Sequence, residues 1–245
     1  MRESLNKSQI ERFSRQLVLK NIGAKGQKKI LSSKILIVGI GGLGCPAAEN
    51  LVRAGIGYIG LIDNDIVNLS NIHRQSLFTS KDIKKSKVSV AAKKLREINP
   101  STKIKTYKSR LDRNNIKNII KNYEIIIDGT DNFKTKFLIN DYCKKLKKKL
   151  ITGAISKFDG HVFTFDFNDK KTASLKSFYQ ENEISDDDLN CEFEGVLGTT
   201  ASIVGTTQAN EALKMIVKIG QNLKNQILII DLLNLNFRKV KFKKQ

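Results

Sequence analysis

Cysteine and histidine are scarce in this sequence. Its 245 residues hold three cysteines, Cys45, Cys143 and Cys191, and two histidines. They are too few and too scattered for a disulfide framework or a Cys-x-x-Cys metal knuckle, so a structural zinc site is not expected. No apolar run reaches the roughly 20 residues that a membrane-crossing helix needs. The opening Arg2-Glu3-Ser4-Leu5-Asn6-Lys7 is polar where a secretory leader would be apolar. These absences predict a cytoplasmic protein without a membrane partner. Acidic residues are also in deficit, with 24 Asp and Glu against 44 Lys and Arg, a formal charge of +20. Such a surplus suggests nucleic acid as a partner. The lysines, however, spread over residues 25–29, 81–94, 103–121 and 144–149, where solvated helix faces explain them better. A basic surface can still steer an acidic protein partner.

A chain of this length can bury a full core as one large α/β domain. The β-branched run Ile35 to Val38 reads as a buried parallel strand, followed by Gly39, Gly41 and Gly44 at Gly-x-Gly-x-x-Gly spacing. A helix over residues 43–54 follows. Such a turn brings backbone N–H groups and a helix N-terminus to a phosphate, which predicts an anion site at Gly41 and Gly42. The next strand, residues 58–62, ends on Asp63, about twenty residues past the turn, where a ribose-binding carboxylate belongs. NAD is the default ligand of that pattern. Asn68, Asn71, Arg74 and Lys87 add amides and two cations that suit a triphosphate better.

Alternating elements continue the pattern. A capping box Ser8-x-x-Glu11 opens an amphipathic helix with Ile10, Phe13, Leu17 and Val18 on one face and Arg12 and Arg15 toward the other. A helix over 87–98 closed by Asn99-Pro100, a strand over 103–107, a helix over 113–121 and a strand over 124–128 follow. That strand leads into Asp128-Gly129-Thr130-Asp131-Asn132, at the end of a parallel sheet where ligands bind. Asp131 fits two roles, N-cap of a helix over 132–146 or ligand of magnesium beside a triphosphate. After a strand over 150–154, alternation over 160–167, 227–231 and 235–242 predicts antiparallel strands. The expected fold class is therefore a Rossmann-like, mostly parallel sheet with helices on both faces, extended by C-terminal antiparallel strands. Residues 168–195 are expected to form a mobile loop. It carries Glu181, Glu183, Asp186, Asp187, Asp188, Glu192 and Glu194 around Cys191, and a long buried helix over 199–219 comes after it. Cys45 near a helix start is either a packing residue or a thiol of lowered pKa, and Cys143 fits a core position.

The motifs Gly39-Ile40-Gly41-Gly42-Leu43-Gly44-Cys45-Pro46, Asp63-Asn64-Asp65, Asn68 to Gln75, Lys87-Val88 and Gly129-Thr130-Asp131-Asn132 occur in the order of a known superfamily. They resemble the ubiquitin-activating enzymes, nearest the bacterial adenylyltransferases of molybdopterin-synthase and thiamine-biosynthesis sulfur carriers. The resemblance runs from Glu11 to about Val240. It implies one adenylyltransferase domain: N-terminal helices in 1–32, a nucleotide-binding part in 33–155 and a carrier-docking part in 156–245. The implied reaction uses ATP and magnesium to adenylate the C-terminal glycine of a ubiquitin-like sulfur-carrier protein, threaded toward Gly42. Arg74, Lys87 and Arg15 would neutralise phosphates, Asp63, Asn71 and Asn132 would orient the nucleotide, and Asp131 would hold magnesium. Arg15 would act in the partner's site of a homodimer, although periodicity alone favours an ordinary amphipathic helix. Cys191 matches a position of covalent sulfur or acyl transfer, with a sulfurtransferase as a further partner, but is equally read as an unreactive thiol. One departure stands out, because the family's two zinc-holding Cys-x-x-Cys pairs are absent from residues 172–178 and from the C-terminal end. Other readings are a dehydratase acting on a tRNA-linked carboxylate, an NAD-dependent oxidoreductase and a non-catalytic binding subunit.

Overall fold

The structure is a computed structural model that describes residues 4–179 and 195–242. Among the described residues, eight strands form one sheet in the order β3-β2-β1-β4-β5-β6-β7-β8. β1 (Lys34–Val38), β2 (Tyr58–Ile62), β3 (Lys103–Tyr107), β4 (Ile125–Asp128) and β5 (Lys149–Ser156) run parallel, with β1 between β2 and β4. β6 (Asp159–Asp166), β7 (Gln226–Asp231) and β8 (Asn236–Lys241) continue the sheet antiparallel. The expected architecture is therefore present. The strand order reverses between β1 and β4, which opens a crevice at their carboxyl ends.

Period-two alternation explains how this sheet carries two cores. Ile35 and Ile37 share a core with α3 (Gly23–Ser32), α4 (Gly44–Ala54), α5 (Lys87–Ile98) and α8 (Gly198–Val217), whereas Leu36 and Val38 face α6 (Ile116–Ile120) and α7 (Phe133–Lys145). All four side chains are buried on both faces, so β1 reads as an unbroken apolar run. Each such burial contributes about 1.5–3 kcal/mol. No helix among the described residues is long and apolar enough to cross a membrane.

Three expectations need correction. The first helix, α1 (Lys7–Arg12), is capped by Asn6 with Gln9 and not by Ser8 with Glu11. It stops where Phe13 sinks into the core against Gly55, and α2 (Ser14–Leu17) starts anew. The predicted apolar stripe is thus broken, leaving Ile10, Val18 and Leu19 exposed. α6 starts at Ile116, later than Arg113, because Asp112 accepts the N–H groups of Asn114 and Asn115 in a side-chain turn. Within residues 168–179 the chain is packed and not loose: Thr172 and Leu175 are buried, and Asn225 and Asn140 accept the Ala173 and Leu175 N–H groups at 2.9 and 3.0 Å. Residues 180–194, with Cys191 and the seven acidic side chains, lie outside the described residues.

Candidate functional site

A cleft of about 870 Å³ opens at the reversal of strand order. The glycine turn forms its floor. Gly39 adopts φ +85°, and a Cβ on Gly44 would stand 1.9 Å from the Gly39 carbonyl oxygen, so helix and turn meet backbone to backbone. Gly41 is more open, with the Gln75 Nε2 at 3.7 Å as the nearest group to an added Cβ. Internal packing therefore does not demand a glycine there, and its backbone is open to the cleft.

Asp63, at the end of β2, ties this floor together. One carboxylate oxygen accepts the Ile40 N–H at 2.7 Å and the other accepts the Asp65 N–H at 2.8 Å. Burial raises its pKa above the ordinary carboxylate value, against the pull of the Asp65 N–H and the Lys87 ammonium. The expected ribose role is compatible with the oxygens' remaining lone pairs, but the first effect of Asp63 is to hold the turn.

The two predicted cations share the cleft with Asn71. Lys87 is almost fully buried, and its Nζ donates to Asp65 Oδ2 at 2.9 Å. Arg74 uses Nη1 to reach the Ser70 carbonyl at 3.0 Å and the His73 ring at 2.7 Å. Its Nε and Nη2 have no protein acceptor among the described residues, so the guanidinium keeps donors for an anion. The alternatives for Asp131 are separated by α7: Asn132 is its N-cap, accepting the Thr135 N–H at 2.9 Å. Asp131 is not the cap, and its carboxylate stands exposed in the cleft with one hydrogen bond among the described residues, from Asn132 Nδ2 at 3.3 Å.

Arg15, expected in the site of a partner subunit, lies exposed on α2, outside the lining of this chain's own cleft, and Cys191 lies outside the described residues. The ambiguity at Cys45 resolves toward packing, because the thiol is fully buried beside the Ile40 carbonyl and burial pushes its pKa up to about 12. Burial likewise raises the Cys143 thiol.

Gln75, the end of the Asn68 to Gln75 motif, also lines the cleft, as do Lys136, His161 and Tyr179, for which the sequence offers no site role. By sequence pattern Lys136 reads as another solvated lysine of a Lys-rich helix. Its only signal was its position one turn after Asn132, facing the apolar side. The His161 ring meets the Tyr179 hydroxyl at 2.9 Å, a pairing across 18 residues that no local pattern announces.

A family profile described as "ThiF family" matches residues 13–245. The chain is 38% identical over 238 residues to a probable molybdopterin-synthase adenylyltransferase of Gracilaria tenuistipitata var. liui, covering 97% of this chain and 66% of that protein. It is 35% identical over 237 residues to a sulfur carrier protein adenylyltransferase of Thermus thermophilus, covering 96% and 88%. The chain spans about half to two thirds of the length of several other curated relatives that it matches. The E. coli MccB crystal structure superposes with a TM-score of 0.84 at 20% identity, covering 98% of this chain and 72% of that one, a likeness of fold.

Proposed function

The chain belongs to the ThiF family, and from that premise we propose that it is an ATP-dependent adenylyltransferase acting on a small ubiquitin-like sulfur carrier. The observation that carries this reading is the cleft itself, where a glycine turn, two cations and a free carboxylate converge on one ligand-sized space. The carrier's C-terminal glycine carboxylate attacks the α-phosphorus of ATP. A C(O)O–P bond forms, the bond from that phosphorus to the bridging oxygen breaks, and pyrophosphate leaves with the electron pair. The catalytic problem is electrostatic, since two anions must meet while charge grows on phosphate oxygens.

Arg74 and Lys87 neutralise the phosphates, Gly41 and Gly42 offer backbone N–H groups, and Asp63, Asn71 and Asn132 orient the nucleotide. Asp131 fits magnesium, which takes one or two protein carboxylates and fills its other positions with phosphate and water. Its carboxylate is exposed, has one hydrogen bond among the described residues and lines the same cleft as Arg74 and Lys87. When bound, the ion would neutralise phosphate charge. No cluster of three or more His, Cys, Asp or Glu able to hold a metal occurs among the described residues.

Several parts of the reading reach further. The carrier serves molybdopterin or thiamine biosynthesis in the cytoplasm, and it docks on residues 156–245. The chain acts as a homodimer in which Arg15 completes the neighbouring site, a role supported by the exposed Ile10, Val18 and Leu19 beside it. Cys191 serves a later sulfur-transfer step, with a sulfurtransferase as donor partner. The test is carrier-dependent ATP–pyrophosphate exchange. Exchange with magnesium and a carrier ending in glycine is expected, together with ATP binding and no NAD binding. Binding of NAD in place of ATP would overturn the reading.

A further inference from the structure

The side chain of Asp131 does little to fix its own position. Its one hydrogen bond among the described residues, at 3.3 Å, is from the adjacent Asn132, so the backbone of residues 129–132 decides where the carboxylate stands. That backbone is gripped from upstream by Asp128, the last residue of β4. One Asp128 oxygen accepts both the N–H and the hydroxyl of Thr130, at 3.0 and 2.6 Å. The other accepts the Thr152 hydroxyl of β5 and the ammonium of Lys136, the latter at 3.2 Å. Lys136 also donates to the Gly153 carbonyl at 2.6 Å.

A single ammonium thus joins the first turn of α7 to β4 and β5, the two strands behind the loop. Lys136 is 4% exposed and Asp128 1%, so water cannot replace either partner. The loop in turn touches the cleft floor: a Cβ on Gly129 would stand 3.1 Å from Gly44 N and 3.2 Å from the Gly39 carbonyl oxygen. A loosened loop therefore shifts Asp131 against the glycine turn.

We propose that Lys136 is a positioning residue for Asp131, acting through Asp128 and the Gly153 carbonyl, so that the carboxylate meets magnesium held by bound ATP. The proposal rests on the ATP reading of the cleft. Its cause is geometric. Outer partners that orient a metal ligand typically govern about 10- to 100-fold in metal affinity, and Lys136 holds the whole segment that carries this one.

The test is calorimetric titration of the full chain with a non-hydrolysable ATP analogue, in chelator and then across magnesium concentrations. Lys136→Met is expected to lose far less affinity for the magnesium-free analogue than for magnesium, because Arg74 and Lys87 remain and only the Asn132 contact rides on the loosened loop. It should bind magnesium in that complex about 10- to 100-fold more weakly. Asp131→Asn should show the same loss, and the double variant no further loss, since both act on one contact. Lys136→Arg, which can still donate to Asp128 and Gly153, should restore most of the affinity. Wild-type magnesium affinity in Lys136→Met, or losses that add in the double variant, overturns the proposal. Should Lys136→Met fail to fold, Thr130→Val removes the neighbouring hydroxyl tie without exposing a charge. It should weaken magnesium in the same direction, and unchanged affinity there overturns the proposal equally. A wild type that binds no ATP overturns the parent reading first, and one that binds ATP without any magnesium enhancement overturns the role of Asp131.

Discussion

Two lysines line the same cleft and each faces an aspartate, yet their pairs are built for opposite purposes. Lys87 and Lys136 have nearly equal side-chain exposure, 7% and 4%, but Asp65 is 57% exposed and Asp128 only 1%. If a phosphate draws Lys87 away, Asp65 returns to water at small cost, as exposed carboxylates do. Were Lys136 drawn away, Asp128 would be left charged and dry. The ion pair with one wet partner can therefore exchange that partner, and the pair with two dry partners is a fixed brace. Burial of the lysine alone does not distinguish them; burial of the carboxylate does.

The largest expected effect is on stability. Lys136→Met should cost about 3–5 kcal/mol by urea denaturation, the usual penalty for stranding a buried charge, whereas Lys87→Met should cost about 1 kcal/mol or less. Converting both Lys136 and Asp128 to neutral residues of similar size should recover much of the loss. Equal costs for the two single lysine variants would break the distinction.

Next in size is the effect on catalysis. Lys87→Ala and Arg74→Ala should each lower pyrophosphate exchange by about 10²-fold or more, the scale of losing one preorganised charge contact. Both should also weaken magnesium-free ATP binding, which sets them apart from Lys136→Met. Wild-type exchange in Lys87→Ala would mean that the exchangeable pair does not serve the phosphates, and in Arg74→Ala that its guanidinium does not.

Much of this was legible in advance, for reasons that differ by element. The glycine turn, the end of β2 at Asp63 and the strand Ile125–Asp128 were readable because backbone demands and β-branched runs leave local marks. Switching from parallel to antiparallel strands was visible in the change from continuous to alternating apolarity. What local pattern could not show was partner choice. Lys136 reads like Lys134 or Lys144 until the fold brings Asp128 and Gly153 to it across 8 and 17 residues. The helix break at Phe13 was hidden for a similar reason, since its cause is the Gly55 cavity wall some forty residues away. Capping was misassigned at Ser8 and left open at Asp131 because Ser, Asp and Asn are near-equivalent caps, and the choice falls to loop geometry.

The smallest effect concerns a third pair, Lys94 with Asp82, which lies away from the main cleft and tests the distinction where no ligand role is assigned. Asp82 is buried, though its side chain keeps 12% of its surface accessible. Burial disfavours its charge, but the Lys94 ammonium at 2.6 Å and the Thr79 N–H and hydroxyl, both at 2.9 Å, outweigh that and bring its pKa down from 3.8 to about 2. A carboxyl depressed in the folded state adds stability above its unfolded value near 4 and loses it as pH falls toward 2. The full shift would correspond to about 2 kcal/mol, and solvent screening of a pair near the surface reduces it to about 1 kcal/mol. Asp82→Asn should therefore lower the melting temperature by a few degrees at pH 7. The gap to wild type should hold down to about pH 4 and close between pH 4 and 2. A gap that stays constant through that window would mean the carboxylate's charge is not what stabilises this corner. Partner exposure would then be a poor guide to what a lysine–carboxylate pair does in this protein.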